Sequence, residues 1–266
     1  MEYPAVVNLS LPKTGSTTIY TYFEDSGACH EGLHEQTVDL IIDYRQGEIE
    51  LDGLEAMIVR RQKYLKAKID SSTFLHLISR EIVDVYPEGT SYLTILRNPV
   101  QWVKSYLGML YQFGKALQEG STPFGRAWAA RYGTFQAEEL DPVALVQNID
   151  DSCYLERVSQ NLLQFWIDSE LKIFNSVPSN RLYVFQIEAL GDALELISKI
   201  IGTDLILDQP AQKFNESTAD SFAKALIAES LERSMGAPLV AESLNLYKDL
   251  CGHRLHGLPP NESFVN

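Results

Sequence analysis

Short apolar runs alternate with longer amphipathic stretches along most of this chain. Runs rich in β-branched and aromatic residues predict strands at residues 5–9, 91–96 and 182–187. Apolar positions spaced three and four apart predict helices, with stripes at Ile19, Tyr22 and Phe23, at Val100, Val103, Leu107 and Leu110, at Leu155, Val158, Leu162 and Phe165, and at Leu190, Leu194, Ile197 and Ile201. Strands separated by helices favour a parallel sheet covered on both faces. We therefore expect a single α/β domain over residues 1–266, a three-layer sandwich around a mainly parallel sheet.

The loop after the first strand has the composition of an anion cradle. Ligands of parallel α/β sheets bind beyond the carboxyl ends of the strands. Here residues 10–18 lead from a strand into a helix, and Gly15 allows a tight turn close to a ligand. The unpaired amides and the dipole of a helix start attract anions, and Lys13 adds a positive charge. Lys13 precedes the glycine, so this is not a Walker A loop. A helix start rich in Ser and Thr for capping alone would also explain these residues.

The loop after residues 91–96 places an arginine before a helix start. Asn98 and Pro99 are typical N-cap and first-turn residues, and Arg97 directly precedes them. Ser105 comes eight residues after Arg97, in the second turn of the predicted helix, where both side chains can face one phosphate. The planar guanidinium suits a phosphate because it donates two parallel hydrogen bonds. A capped helix with an ordinary surface serine is the alternative interpretation.

Residues 12–18, Pro-Lys-Thr-Gly-Ser-Thr-Thr, resemble the 5′-phosphosulfate loop of sulfotransferases that use 3′-phosphoadenosine 5′-phosphosulfate (PAPS). That family's pattern is approximately PK[ST]GT[ST], directly after the first strand. The resemblance implies the sulfotransferase fold, which is similar to that of P-loop nucleotide hydrolases, with PAPS as co-substrate. It implies that Lys13 contacts the bridging oxygen as the catalytic lysine. The cofactor cradle implied by the resemblance consists of Lys13, Thr14, Gly15, Ser16, Thr17 and Thr18.

The second loop strengthens the resemblance. Residues 97–105 are similar to the family's 3′-phosphate motif, which implies that Arg97 and Ser105 bind the cofactor. Thr18 stands where cytosolic members often have tryptophan, which removes the expected adenine stacking at this position. Residues 181–190 resemble a late strand of the family and receive no binding role. Asn215 and Ser217 fall where many members have a loop that closes over the cofactor.

A general base for the acceptor hydroxyl is expected just after the first helix. The family commonly places a catalytic Glu or His about two dozen residues after the lysine, and residues 29–35 carry several such side chains. Histidine suits proton transfer near neutral pH, and glutamate can serve if burial raises its pKa. We favour His34 or Glu35, with His30 as the next candidate.

The same segment fits the H-E-x-x-H zinc pattern through His30, Glu31 and His34. A zinc protease needs these residues on one regular helix with a third ligand downstream, and Gly32 interrupts the segment. We therefore expect no metal. Solvent-facing histidines in a loop remain another interpretation. Further along, His76 is expected to be a packing residue, and residues 70–72 a strand end followed by a helix cap.

Acceptor specificity is expected in residues 118–146, an irregular stretch with several glycines, prolines and aromatic residues that is typical of a lid. A helical excursion packed on the core is the alternative. Small-molecule, carbohydrate, lipid and peptide acceptors all remain open. Two other functions stay in view: a P-loop nucleotide or small-molecule kinase, and a non-catalytic nucleotide-binding protein on the same fold.

Composition narrows the class of partner. The 22 basic and 36 acidic residues give a net charge of −14, which disfavours nucleic acid and anionic membranes as partners. Three cysteines without CxxC spacing predict reduced thiols. The sequence shows no apolar run of membrane-spanning length and no signal peptide, so we expect a cytoplasmic protein.

Overall fold

A computed structural model of the chain describes residues 3–122, 140–204 and 221–252. Its strands are β1 (Val6–Asn8), β2 (Ala28–Cys29), β3 (Ile69–Asp70), β4 (Ser91–Leu96) and β5 (Leu182–Gln186). Its α-helices are α1 (Ser16–Phe23), α2 (His34–Arg45), α3 (Leu51–Leu65), α4 (Ser79–Val85), α5 (Pro99–Gln118), α6 (Pro142–Gln147), α7 (Ser152–Ser176), α8 (Leu190–Ile201), α9 (Ser221–Ser234) and α10 (Pro238–Gly252). Short 3₁₀ turns cover Glu24–Ser26, Leu75–Ile78 and Ile187–Ala189. The predicted α/β fold is confirmed.

The five strands form one parallel sheet in the order β2-β3-β1-β4-β5. β1 is central, with Val7 opposite Asp70 of β3 on one side and opposite Tyr92 of β4 on the other. The chain places β2 and β3 on one side of β1 before it crosses to β4, so the strand order reverses beside β1. This reversal is where parallel α/β sheets bind ligands, beyond the carboxyl ends of the strands.

Helices cover both faces of the sheet, because side chains along a strand alternate in direction. One face packs α1 and α8 against the strands, in a buried core that comprises Val6, Ile19, Phe23, Ile69, Leu93, Ile95, Phe185, Leu190, Ala193, Leu194, Leu196 and Ile197. On the other face the Tyr92 hydroxyl donates to the carbonyl of Ile82 in α4 at 3.4 Å. Arg61 of α3 pairs there with Asp70 of β3. The three-layer arrangement is therefore as predicted.

The described residues of 1–96, 171–212 and 249–266 form one compact unit, which holds the whole sheet. The described residues of 97–170 and 213–248 form a second unit, in which α5 packs on α6 and α9. In that second unit the Trp102 ring stacks on Tyr106 at 5.0 Å and on Phe165 at 6.3 Å. The expectation of one domain over residues 1–266 stays a prediction.

Turn and cap residues behave largely as the sequence indicates. Gly27, at a φ of 91°, follows the turn after α1, and Gly202, at 67°, ends α8. The strand end at Asp70 is as predicted, but the helix cap after it is wrong. Ser72 hydrogen-bonds to Asp70 instead, and no side chain caps the following turn Leu75–Ile78. The cap pattern fails because the buried Asp70 claims that hydroxyl.

The predicted lid falls mainly outside the described residues. Gln118 is the last residue of α5, and residues 142–146 lie within α6, but residues 123–139 are outside. The lid therefore stays a prediction, and Asn215 and Ser217 also lie outside the described residues. Among the helices that the structure describes, none combines the length and the apolar character that a membrane crossing requires.

Candidate active site

The loop after β1 is fixed to the neighbouring strands at its first residues. The Asn8 carboxamide oxygen accepts hydrogen bonds from the backbone and hydroxyl of Ser10, and its nitrogen donates to the Ser71 hydroxyl at 3.0 Å. The Ser10 hydroxyl accepts from the backbone N–H of Ile95 in β4 at 2.7 Å. All four of these side chains and backbone groups are buried, so the loop starts from a defined position beside both β3 and β4.

The middle of the loop has an unusual backbone. Lys13 and Gly15 both lie in the left-handed region, at φ values of 68° and 107°. A Cβ atom at Gly15 would lie 3.3 Å from the Leu190 side chain, so both conformation and space favour glycine there. Thr14 steadies the turn, since its hydroxyl donates to the Leu11 carbonyl at 2.5 Å. The turn brings the chain into α1 with its backbone close to whatever occupies the sheet edge.

Helix α1 begins at this turn without a capping side chain. Its N-cap position is Gly15, which has no side chain to donate or accept, and Ser16 and Thr18 of the first turn are buried. A helix start of this kind attracts an anion through its amides and dipole. The half-buried Lys13 precedes it by two residues. The arrangement can hold a phosphate or sulfate group.

A buried polar network supports the cradle from β3. The Ser71 hydroxyl donates to the carbonyl of Ser16 at 3.1 Å, which fixes the first residue of α1. Asp70, one residue earlier, pairs with Arg61 and accepts from the Ser72 hydroxyl at 2.8 Å. A buried ion pair of this kind requires its hydrogen bonds to offset the lost hydration of both charges. The sequence interpretation missed this support, although a carboxylate at the carboxyl end of a buried strand was its one signal.

His30 contacts the first turn of α1. Its Nε2 lies 3.3 Å from the Thr17 hydroxyl, and its Nδ1 lies 2.9 Å from the backbone carbonyl of Ser71. A carbonyl can only accept, so Nδ1 carries the proton and Nε2 keeps its lone pair. The ring also stacks on Tyr20 at 5.9 Å, which limits its rotation. The nitrogen that can accept a proton therefore faces the cradle.

Glu31 and His34 form a separate pair beside the loop. Glu31 accepts from the backbone and hydroxyl of Thr73 at 3.1 and 2.6 Å, and its other oxygen lies 2.7 Å from His34 Nδ1. Burial opposes ionisation of Glu31, but the hydrogen bonds from His34 and Thr73 prevail and lower its pKa below the ordinary value. Glu31 is thus held as a carboxylate that orients His34. Glu35, the other favoured base, is exposed on α2.

The segment does not have the geometry of a zinc helix. His34 is the first residue of α2, whereas His30 precedes it in non-helical chain. Glu31 and Leu33 between them both have a φ of 54°, in the left-handed region. A zinc helix needs both histidines one turn apart on a regular α-helix. The interpretation as a zinc protease motif is therefore wrong.

The loop after β4 begins the second unit and is built differently. The Asn98 side chain accepts from the backbone N–H groups of Val100 and Gln101 at 3.1 and 3.3 Å, and Pro99 occupies the first turn. Arg97 and Ser105 are both half-buried, and Ser105 lies in the second turn of α5. The predicted N-cap is confirmed, while the phosphate-binding roles of Arg97 and Ser105 stay predictions.

Comparison with known proteins adds one weak structural similarity. No family model and no curated protein matches the chain. A sulfotransferase from Alicyclobacillus acidocaldarius, known from a crystal structure, is similar to it with a TM-score of 0.44 and 12% sequence identity. The similarity covers 93% of this chain and 100% of that chain. At this level of similarity, the function has to be argued from the residues of the site itself.

Proposed function

We propose that this protein is a PAPS-dependent sulfotransferase that transfers a sulfuryl group to an acceptor hydroxyl. One observation carries the proposal: the left-handed turn at Lys13 and Gly15 leads into an uncapped helix whose Thr17 hydroxyl is bonded to His30. This places an anion cradle and a proton acceptor together at the reversal of strand order. Sulfuryl transfer needs both, because it depends mainly on positioning and charge stabilisation.

In the proposed reaction the acceptor oxygen attacks sulfur while the bond from sulfur to the bridging phosphate oxygen breaks. The acceptor proton passes to the base, and 3′-phosphoadenosine 5′-phosphate leaves with the added negative charge on its 5′-phosphate. Lys13 is proposed to neutralise that charge, and the backbone of residues 14–18 to hold the phosphate. Since the lysine supplies the positive charge, turnover is expected to persist in the presence of a metal chelator.

The geometry shifts the choice of base from His34 and Glu35 to His30. His30 has its proton-accepting nitrogen on the α1 side, because the Ser71 carbonyl holds the proton on the other nitrogen. His34 bonds to Glu31, and Glu35 is exposed. A base must lie within hydrogen-bond reach of the proton that it removes. His30 is therefore the proposed general base, with Thr17 marking the place that the acceptor hydroxyl approaches.

For the 3′-phosphate we propose the side chains of Arg97 and Ser105. At the start of α5 the amides of Val100 and Gln101 already donate to Asn98, so an anion there must rely on side chains. Arginine suits this role because its planar fork donates two hydrogen bonds to phosphate. The proposal rests on the spacing of these residues in the sequence.

Calorimetric titration with 3′-phosphoadenosine 5′-phosphate, and in parallel with ATP and Mg²⁺, tests the proposal. We expect the desulfated cofactor to bind and Arg97→Ala to weaken it by about tenfold or more, the scale of a lost charged hydrogen bond. Arg80→Ala, which removes an exposed arginine from α4, is the matched control and should bind normally. Binding of ATP alone would favour a kinase and contradict the proposal.

Radiolabelled PAPS incubated with phenolic, sugar and lipid alcohols then tests catalysis. Transfer of label to any of them supports a sulfotransferase. Tight binding of the desulfated cofactor without transfer to any acceptor class would instead favour a non-catalytic nucleotide-binding protein.

A further inference from the structure

An apolar cavity of about 140 Å³ lies in the first unit, between α2, α3, the turn Leu75–Ile78 and α4. Aliphatic side chains make up most of its wall, among them Leu40, Leu54, Ile58, Ile78 and Ile82. None of residues 13–18 and neither His30 nor Glu31 lines it. The cavity is thus distinct from the candidate active site, and an account of it does not depend on the proposed function.

The size and lining of the cavity fit a single six-membered ring. Engineered apolar cavities of about 150 Å³ stay dry and bind benzene, because water finds too few polar partners in them. This cavity has a similar volume and a comparable lining. Gln36, Arg60 and Tyr64, which are exposed residues of α2 and α3, complete the wall and connect the cavity with solvent.

Arg61 gives the cavity wall one specific polar feature. The side chain is only 6% exposed, and its two Nη atoms donate to Asp70, Ser72 and the carbonyl of Gly32. Its Nε is buried and has no acceptor among the residues that the structure describes. A buried donor without a partner is unfavourable, and a ligand oxygen can relieve that cost.

Charge decides which kind of oxygen fits. Asp70 already neutralises Arg61, so a ligand carboxylate would add an unbalanced buried negative charge. Tyr86, also in the cavity wall, brings no charge of its own, because burial raises the pKa of its hydroxyl well above the ordinary value. A neutral ketone, ether or hydroxyl oxygen therefore matches the site better than an acid.

We propose that this cavity is a second binding site, for a neutral ring-sized apolar molecule whose single oxygen accepts a hydrogen bond from Arg61 Nε. The ring occupies the space between α2 and α3, and the oxygen meets the guanidinium. Because Arg61 also bonds to Asp70, whose neighbour Ser71 supports the start of α1, the occupant lies next to the network that holds the cradle.

Titrating the full chain with cyclohexanone, benzene and benzoate, observed by nuclear magnetic resonance, tests the site. We expect cyclohexanone to bind saturably and to shift the Nε–H resonance of Arg61, assigned by its loss in Arg61→Lys. Benzene should bind without that shift, since it has no oxygen, and benzoate should bind about tenfold more weakly or worse because of its charge. No saturable binding of cyclohexanone, an unmoved Arg61 resonance, or benzoate binding as well as cyclohexanone would each overturn the proposal.

A filled cavity provides the matched comparison. Met57→Trp, at a half-buried wall position of α3, should weaken cyclohexanone binding about tenfold or more by occupying the space. Lys63→Trp puts the same indole at an exposed position of that helix outside the wall and should leave binding unchanged. Circular dichroism confirms that both variants are folded. Retained binding in a folded Met57→Trp would contradict the site.

Discussion

The loops after β1 and β4 both lead from a buried strand into a helix, but they use different means to shape the helix start. After β1, the backbone does it: Lys13 and Gly15 are left-handed, and no side chain caps α1. After β4, a side chain does it: Asn98 caps α5 through two hydrogen bonds, and Pro99 sets the first turn.

The difference separates two modes of anion recognition. A helix start without a capping side chain can receive a phosphate in the place that such a side chain would take. A helix start already capped by Asn98 gives its amides to that residue, so Arg97 and Ser105 would have to bind by side chains. The first loop should therefore be sensitive to backbone changes and the second to side-chain deletions.

Removing the Lys13 ammonium should have the largest effect on catalysis. Lys13→Ala is expected to lower turnover by about 10²–10³, the scale of losing one group that stabilises the transition state. The desulfated cofactor should still bind, which calorimetry can verify. Lys63→Ala removes an exposed lysine of α3 and serves as the control. Unchanged turnover in Lys13→Ala would refute the role of the first loop in the reaction.

An acid titration should separate the two regions by stability. Burial holds the pKa of His76, in the first unit, at about 4 instead of 6.5, although its bond to the Thr73 carbonyl opposes this. Below pH 6.5 the unfolded chain takes up a proton that the folded chain does not, so stability falls until about pH 4. The loss is about 3 kcal/mol.

Urea unfolding at several pH values measures this slope. His76→Leu should flatten it between pH 6.5 and 4, whereas Lys63→Ala should leave it intact. The described part of the second unit contains no histidine, so a probe placed there should show no slope of its own in that range. An unchanged slope in His76→Leu would contradict the assignment.

Deleting the His30 side chain tests which residue accepts the acceptor proton. His30→Ala should reduce turnover by about 10², at the low end for general base catalysis. His34→Ala is the matched control and should lose less, because His34 bonds to Glu31. Partial rescue of His30→Ala by added imidazole would support a proton-transfer role. The reverse ranking would return the role to the pair favoured by the sequence.

A methyl group at Gly15 tests the backbone-shaped loop directly. Gly15→Ala must keep a φ of 107° and place a Cβ 3.3 Å from Leu190, at a cost of about 1–3 kcal/mol. We expect a lower melting temperature and about tenfold weaker binding of the desulfated cofactor. Gly89→Ala, where a Cβ meets open space, should change neither. Full binding in Gly15→Ala would show that the turn does not form the cradle.

The smallest effect is expected from the cap of the second loop. Asn98→Ala should destabilise the protein by about 1 kcal/mol through loss of the N-cap, as measured by urea unfolding. Cofactor affinity should change little, because the proposed ligands there are the side chains of Arg97 and Ser105. A large loss of affinity without loss of stability would mean that Asn98 itself contacts the ligand, and the contrast between the loops would fail.

The sequence predicted the elements around both loops well, because the signals involved are local. β4 was predicted with its observed bounds, and the Asn98–Pro99 cap follows from the preferences of those residues at helix starts. The choice among His30, His34 and Glu35 had no such local signal. It depends on a bond from His30 to a carbonyl 41 residues away, which no spacing within the segment encodes.

By itself, the sequence determined the α/β class, the bounds of the longer strands and helices, and the two loops that carry the anion-binding residues. Periodicity and capping act over a few residues, so one sequence is enough to read them. Only the tertiary structure decided the order of the strands, the buried Arg61–Asp70 pair, the nitrogen that His30 presents to Thr17, and the cavity between α2 and α3. These features arise where distant segments meet, and their geometry depends on packing that local patterns do not specify.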